Sequence, residues 1–144
     1  GVSASLRARG FSGRIVGVEP EEANDTQQSW AKGERVTINS PMTICDGLRS
    51  TTPGAMTFPI LKHCLEGIVT VTDEQVMAAI RWLLNEMKLL VEPSGAVAVA
   101  AWANGMLDNP AHDPKNPDYA GDVVLLVSGG NIDPKVALTY AQGS

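Results

Sequence analysis

The run of five apolar residues at 123–127 constrains the fold more than any other feature, because it stops abruptly in Ser128, Gly129, Gly130 and Asn131. An uninterrupted apolar run of this length is typical of a strand buried on both faces, as in a parallel sheet. In open α/β sheets, ligands bind in the crevice beyond the carboxyl ends of the strands. Glycines let a ligand approach the main chain, and a serine hydroxyl donates or accepts a hydrogen bond. The segment therefore predicts either a ligand-facing turn or an ordinary glycine-rich turn from strand to helix.

The rest of the chain alternates predicted strands with predicted helices. Two further buried strands are expected at residues 14–18, where Glu19 and Pro20 close the ladder, and at residues 68–71. Helices are predicted at residues 3–8, 22–31, 55–66, 96–106 and 133–140. Another helix is predicted from its cap at Thr72 to Met87, because its apolar residues form a stripe with helical spacing. Residues 34–53, rich in Thr, Ser, Pro and Gly, read as an extended loop. This order predicts a single α/β domain over residues 1–144 with a mainly parallel sheet.

Charge and composition argue against several classes of partner. The 144 residues carry a formal net charge of −5 without a basic cluster, which makes nucleic acid and anionic membranes poor partners. No apolar run approaches the roughly 20 residues that span a bilayer. Residues 1–10 lack the apolar core of a signal peptide. With only Cys45 and Cys64, no disulfide framework is implied, and we expect a reduced, cytoplasmic protein.

Two carboxylates lie around the turn that follows the first predicted strand. Glu19 ends the strand, and Ala23 and Asp25 come just beyond it. Oxygen ligands of this kind suit a hard cation such as Mg²⁺ or Ca²⁺. The alternative is a helix N-terminus, where Glu21, Glu22 and Asp25 would complement the positive end of the helix dipole.

Two other acidic positions have both a chemical and an ordinary interpretation. Glu92, between a helix end and Pro93, is a possible general acid or base if it is desolvated, or a solvated helix cap. Asp46 and Gly47 in the long loop form either a functional turn or a common surface turn.

Four motifs occur together and in order over essentially the whole chain. They are GVEP at 17–20 with Ala23 and Asp25, TICDGL at 43–48, MKLLVEPSGA at 87–96, and SGGNID at 128–133. In these motifs the chain resembles the C-terminal half of the pyridoxal-phosphate enzymes of the serine/threonine dehydratase and serine racemase family. The resemblance implies part of the large domain of fold type II enzymes, a three-layer αβα arrangement. It also implies either β-elimination from a hydroxy amino acid, giving a 2-oxo acid and ammonia, or racemisation of serine.

The same resemblance implies cofactor roles for particular residues. Ser128 corresponds to the serine that hydrogen-bonds the pyridine nitrogen of pyridoxal phosphate, while Gly129, Gly130 and Asn131 would shape the edge of the ring. Asp46 and Gly47 resemble a segment near the ring and substrate, and Glu92 resembles a carboxylate on the far side of the ring. Glu19, the carbonyl of Ala23, and Asp25 match the family's cation site, for Mg²⁺, Ca²⁺ or another cation.

The family's Schiff-base lysine lies in a Ser-x-Lys-x-Arg type segment, which does not occur in these 144 residues. A complete glycine-rich phosphate loop is also missing, and Gly1 resembles its trailing glycine. We therefore expect that this chain alone neither retains pyridoxal phosphate tightly nor catalyses. The other hypothesis is a stand-alone, non-catalytic domain that acts by binding or assembly and keeps the fold, with or without the cation site. The expected partners are a small amino-acid substrate in the parent enzyme, an N-terminal half as a separate chain, and further copies of this chain.

Overall fold

A computed structural model describes residues 1–107 and 123–142. The chain divides into two compact units, Gly1–Asp73 and Glu74–Ser144, which are described one at a time. The expectation of a single domain over residues 1–144 stays a prediction.

The first unit is built on a two-stranded parallel sheet. Strand β1 is Val16–Pro20 and strand β2 is Gly67–Val71, with Val16 opposite Gly67 and Pro20 opposite Val71. The strand lies two residues later than the predicted 14–18, so Glu19 and Pro20 are part of the ladder and Pro20 ends it. Pro20 occupies its last position, where a residue without an N–H donor is tolerated. The parallel pairing confirms the predicted sheet type.

Three α-helices complete the first unit: α1 is Val2–Ala8, α2 is Asp25–Lys32 and α3 is Thr57–Cys64. Helix α2 packs against β2, and α1 packs against α3. The helix predicted at 22–31 is divided into a 3-10 turn, Glu21–Ala23, and α2. Gly33 ends α2 in the left-handed conformation, with a φ of 81°. The predicted loop at 34–53 is confirmed, with one 3-10 turn at Asp46–Leu48.

The regular elements among the described residues of the second unit are all helices. Helix α4 is Asp73–Asn85, α5 is Pro93–Ala103 and α6 is Pro134–Gln142. The first residue of α4, Asp73, is also the last residue of the first unit. The apolar stripe predicted for α4 is confirmed, because the buried residues are Val76, Ala79, Ile80 and Leu83. Helix α5 begins three residues earlier than predicted, since Pro93 occupies its first turn, where proline's fixed φ favours a helix start. None of the helices in the described ranges is both long and apolar enough to cross a membrane.

The predicted third strand at 123–127 is not a strand in the structure. Residues 123–133 have no regular secondary structure, and the side chain of Val124 is 88% exposed. A strand is held by hydrogen bonds to its neighbours. Within residues 74–107 and 123–142 no segment forms a strand, so this run has no ladder partner there. The prediction of a strand buried on both faces is wrong for the chain as described.

Candidate cofactor and cation sites

The turn that contains Ser128 lies against the start of α5. The main-chain N–H of Glu92 donates to the carbonyl oxygen of Gly129 at 3.0 Å. The N–H of Asn131 donates to Oε2 of Glu92 at 2.7 Å, joining residues 39 positions apart. The side chain of Ser128 is exposed. The structure thus places four predicted residues, Glu92, Ser128, Gly129 and Asn131, where the turn meets the start of α5.

Glycine is required on both sides of this contact. A Cβ added at Gly95 would lie 2.9 Å from both the nitrogen and the oxygen of Gly129. At Gly129 it would lie 2.5 Å from Oε1 of Glu92, and at Gly130 it would lie 2.9 Å from the carbonyl oxygen of Leu90. These distances are shorter than carbon atoms adopt without rearrangement. The glycines predicted to admit a ligand therefore also let two segments of main chain meet.

The loop that carries Asp46 and Gly47 belongs to the first unit, where both residues are exposed. It is anchored through Thr43, which is buried. The Thr43 hydroxyl donates to the carboxylate of Asp73, and the N–H of Ile44 donates to the same carboxylate at 3.0 Å. These bonds fix the main chain just before the Asp46–Gly47 pair.

A second contact holds the same loop from its other end. The Arg49 guanidinium donates to the carbonyl oxygen of Thr43, through Nε at 2.9 Å and through a second nitrogen. Between them lies Cys45, whose N–H donates to the Thr43 hydroxyl at 3.2 Å. Burial raises the pKa of the Cys45 thiol to about 11, so it stays protonated at neutral pH. A protonated, buried thiol is a poor nucleophile.

Glu19 and Asp25, the two predicted cation ligands, have protein partners of their own. Glu19 caps α2, because its carboxylate accepts the N–H of Thr26 at 3.3 Å and that of Gln27 at 2.8 Å. Both carboxylate oxygens of Asp25, which is completely buried, lie within reach of the Ser50 hydroxyl, at 3.1 and 3.2 Å. The alternative given by the sequence, a helix N-terminus, therefore applies in part, because Glu19 caps α2 and Asp25 lies in its first turn.

The electrostatics of this pair are unfavourable for two negative charges. Burial raises the pKa of Glu19, and the nearby Asp25 charge raises it further, while hydrogen bonds to Thr26 and Gln27 oppose the shift. Burial also raises the pKa of Asp25, against the hydrogen bond from Ser50. Ala23, the predicted carbonyl ligand, is buried beside them in the chain. Over the described ranges, no three side chains of His, Cys, Asp or Glu converge as a metal-ligand group.

Several contacts that position these sites are missing from the sequence prediction. Ser50, Arg49 and Thr43 act through contacts 6 to 30 residues away along the chain, for which no local pattern exists. Asp73 was expected at the start of a helix, but its carboxylate reaches the loop as well. The one usable signal was the motif at 43–48, which marks the loop without showing what holds it.

The comparisons with known proteins give the class of the chain. Residues 1–129 match the family model described as pyridoxal-phosphate dependent enzyme, so the chain belongs to that family. Its solved structural neighbours are fold type II members of the class. The resemblance inferred from the four motifs is confirmed.

Individual relatives make the family more specific. The chain is 38% identical to serine racemase of Schizosaccharomyces pombe over 132 residues, which cover 90% of this chain and 38% of that protein. It is 36% identical to L-threo-3-hydroxyaspartate ammonia-lyase of Saccharomyces cerevisiae over 143 residues, covering 97% and 41%. The solved structure of maize serine racemase superposes with a TM-score of 0.81 at 30% identity, over 96% of this chain and 40% of that one. The chain thus spans about two fifths of the length of the curated relatives it matches.

Proposed function

We propose that this chain supplies part of the cofactor site of a pyridoxal-phosphate-dependent ammonia-lyase or racemase that acts on small hydroxy amino acids. The observation that carries the proposal is the turn at residues 128–131, which is clamped to the start of α5 and leaves the Ser128 hydroxyl exposed. The relatives' names support the substrate class, because they include serine racemase and hydroxyaspartate ammonia-lyase.

Ser128 fits a pyridine nitrogen by its chemistry. A neutral hydroxyl donates a hydrogen bond without transferring its proton, so it holds the nitrogen in its unprotonated form. A carboxylate at this position would favour a protonated ring. Pyridoxal phosphate, when bound, supplies the electron sink that weakens the bonds at the substrate's α-carbon. The clamp on residues 129–131 orients Ser128 before any ligand arrives, which lowers the entropic cost of binding.

The residues at the end of β1 fit a divalent cation. Two desolvated carboxylates lie near each other, and over the described residues neither forms an ion pair with a lysine or arginine. Their oxygen atoms are ligands of the kind that Mg²⁺ and Ca²⁺ prefer. We propose that Glu19, Asp25 and the carbonyl of Ala23 hold such a cation, which would stiffen the turn between β1 and α2.

Cation binding is tested by the thermal unfolding of the chain. Mg²⁺ or Ca²⁺ should raise the unfolding temperature, since a ligand that binds only the folded state stabilises it. Asp25→Asn should abolish that rise, while the exposed control Glu21→Gln should keep it. An equal rise in both variants would contradict the proposed ligands.

We also propose that the lysine that bonds the cofactor lies outside these 144 residues. None of the five lysines lies in a motif of the family's type; they are Lys32, Lys62, Lys88, Lys115 and Lys135. Three of them make local surface contacts: Lys32 with Glu34, Lys62 with the carbonyl oxygen of Gly33, and Lys88 with the carbonyl oxygen of Asn85. Lys115 lies outside the described residues.

Reconstitution tests the proposed function. The purified chain, mixed with pyridoxal phosphate, should lose the cofactor's absorbance on dialysis and release no ammonia from L-serine or L-threonine. Mixed with the separately expressed N-terminal part of a relative, it should retain the cofactor, and Ser128→Ala should weaken that retention. Turnover by the chain alone would contradict the assignment of the lysine. Failure of every mixture to retain cofactor would favour the stand-alone binding or assembly domain.

Assembly and location follow from the same proposal. The exposed apolar run at 123–127 supports pairing, either with an N-terminal half or with a second copy of this chain. Light scattering that shows a monomer at high concentration would contradict self-association. The buried free thiols of Cys45 and Cys64 suit a reducing compartment such as the cytoplasm.

A further inference from the structure

Glu92 makes two hydrogen bonds to the turn at residues 129–131, and their pattern is that of a parallel strand pair. In such a pair, a residue donates its N–H to one neighbour and accepts, at its carbonyl oxygen, the N–H two residues further on. Glu92 donates its N–H to Gly129 in this way. Its carbonyl oxygen, however, already accepts the N–H of Gly95 at 3.0 Å, because α5 begins there.

The carboxylate of Glu92 takes the place of that occupied carbonyl. Its Oε2 accepts the N–H of Asn131 at 2.7 Å, which is the bond the main-chain oxygen would have made. An ionised acceptor forms a shorter and stronger hydrogen bond than a neutral one. The side chain therefore lets one residue end a strand-like pairing and start a helix at the same point.

The position of the carboxylate is determined by packing as well as by hydrogen bonds. It lies directly over the α-carbon of Gly129, so closely that a Cβ there would be 2.6 Å from its carboxyl carbon. The start of α5 is buried on the other side, at Pro93, Ser94 and Gly95. Both ends of the side chain are thus confined, and Ser128 is the next residue along the clamped main chain.

We propose that Glu92 is a positioning residue, which orients Ser128 by clamping residues 129–131, and that it is not an acid or base in the reaction. This inference rests on the proposed function of Ser128 for its consequence in catalysis, but the clamp itself is a property of the apo chain. The alternative interpretation from the sequence, in which Glu92 is a general acid or base, predicts the opposite order of activity for two conservative substitutions.

The test compares amide hydrogen exchange at Asn131 in the 144-residue chain without cofactor. Glu92→Gln keeps an acceptor oxygen at the same reach, so Asn131 should stay protected within a few fold. Glu92→Asp keeps the charge, but its shorter side chain caps the N–H groups of α5 instead. Loss of a hydrogen bond to a charged group should then speed exchange at Asn131 about tenfold or more. The exposed control Glu86→Asp should leave exchange at Asn131 unchanged, and amides of α4 report whether each variant is folded.

Activity in the reconstituted enzyme gives the second readout. A positioning role predicts that Glu92→Gln keeps more activity than Glu92→Asp, with an unchanged pH profile. An acid or base role predicts the reverse order, with the pH profile altered in Glu92→Gln. Unchanged exchange at Asn131 in Glu92→Asp, or the reversed order of activities, would overturn the inference. The exchange result stands even if reconstitution fails, so the two proposals fail separately.

Discussion

The two units hold their candidate residues by different means. In the first unit, buried side chains make the contacts: Asp25 pairs with Ser50, and Thr43 is held by both Asp73 and Arg49. In the second unit, main chain meets main chain across glycines, and the Glu92 carboxylate supplies a side-chain bond to the turn. A network of side chains spreads its stability over several partners, whereas a glycine contact depends on shape at one point.

The apolar run and the turn that follows it behave differently within the second unit. The turn at 128–131 keeps a defined geometry, because the start of α5 provides its partners. The run at 123–127 depends on neighbouring strands, and it is exposed and unpaired in the described part of the unit. A turn that has contacts of its own therefore keeps a defined conformation even where the segment before it is unpaired.

Substituting the glycine of the main-chain contact should have the largest effect on stability. In Gly95→Ala, the new methyl group meets the main chain of Gly129, so we expect a loss of about 1–3 kcal/mol in the free energy of unfolding. Urea denaturation measures it. The control is Gly67→Ala in β2, where no atom lies within 4 Å of the added carbon and the change should be small or stabilising. Equal losses in the two variants would show that the contact is no more sensitive than an open strand position.

Removing the central hydroxyl of the side-chain network should have a smaller effect. Thr43→Val takes the hydrogen-bond donor from Asp73 and the acceptor from the Cys45 N–H, which should cost about 1–2 kcal/mol in the free energy of unfolding. Asp73 keeps its bond from Ile44, which limits the loss. Chemical denaturation of Thr43→Val beside Thr51→Val, an exposed threonine of the same loop, gives the measurement. A loss no greater than that of the control would remove Thr43 as the anchor of the loop.

Local patterns in the sequence predicted most of the helices and both paired strands. The apolar residues of α4 recur at helical spacing and those of β2 form one β-branched run, so a short window of sequence contains the whole signal. The start of α2 was predicted three residues early, because the capping carboxylate comes from Glu19 in the preceding strand. Contacts of that kind depend on the tertiary fold.

The candidate site was predicted by motif rather than by contact. Ser128, Gly129 and Asn131 could be named from their order in the chain, but the bond from Asn131 to Glu92 spans 39 residues and has no sequence period. The strand at 123–127 was predicted from five consecutive apolar residues, a signal of composition within one short window. Composition shows that a segment is suited to burial, but neighbouring elements decide whether it is buried.

The smallest expected effect is a pH dependence confined to the first unit. The pKa values of Glu19 and Asp25 lie above their ordinary values of 4.5 and 3.8, chiefly because both are buried. Between the ordinary and the raised pKa values, the folded chain keeps protons that the unfolded chain has released. The stability of the chain therefore falls as the pH rises through that range. Asp25→Asn removes one of these carboxyls and the repulsion on the other, so the fall should be shallower. Denaturation midpoints measured from pH 4 to pH 7 in EDTA test this.

Ser50→Ala should change the pH dependence of stability in the opposite direction to Asp25→Asn. The Ser50 hydroxyl stabilises the ionised form of Asp25, so its removal should raise the pKa of that carboxyl further and make the fall in stability steeper. Glu21→Gln changes an exposed carboxyl on the same turn and should leave the slope as in the wild type. A divalent cation should flatten the wild-type slope, because it competes with protons for the same oxygens. A slope that Mg²⁺ and Ca²⁺ leave unchanged, together with the expected response of Ser50→Ala, would mean that these carboxylates serve as a buried helix cap alone.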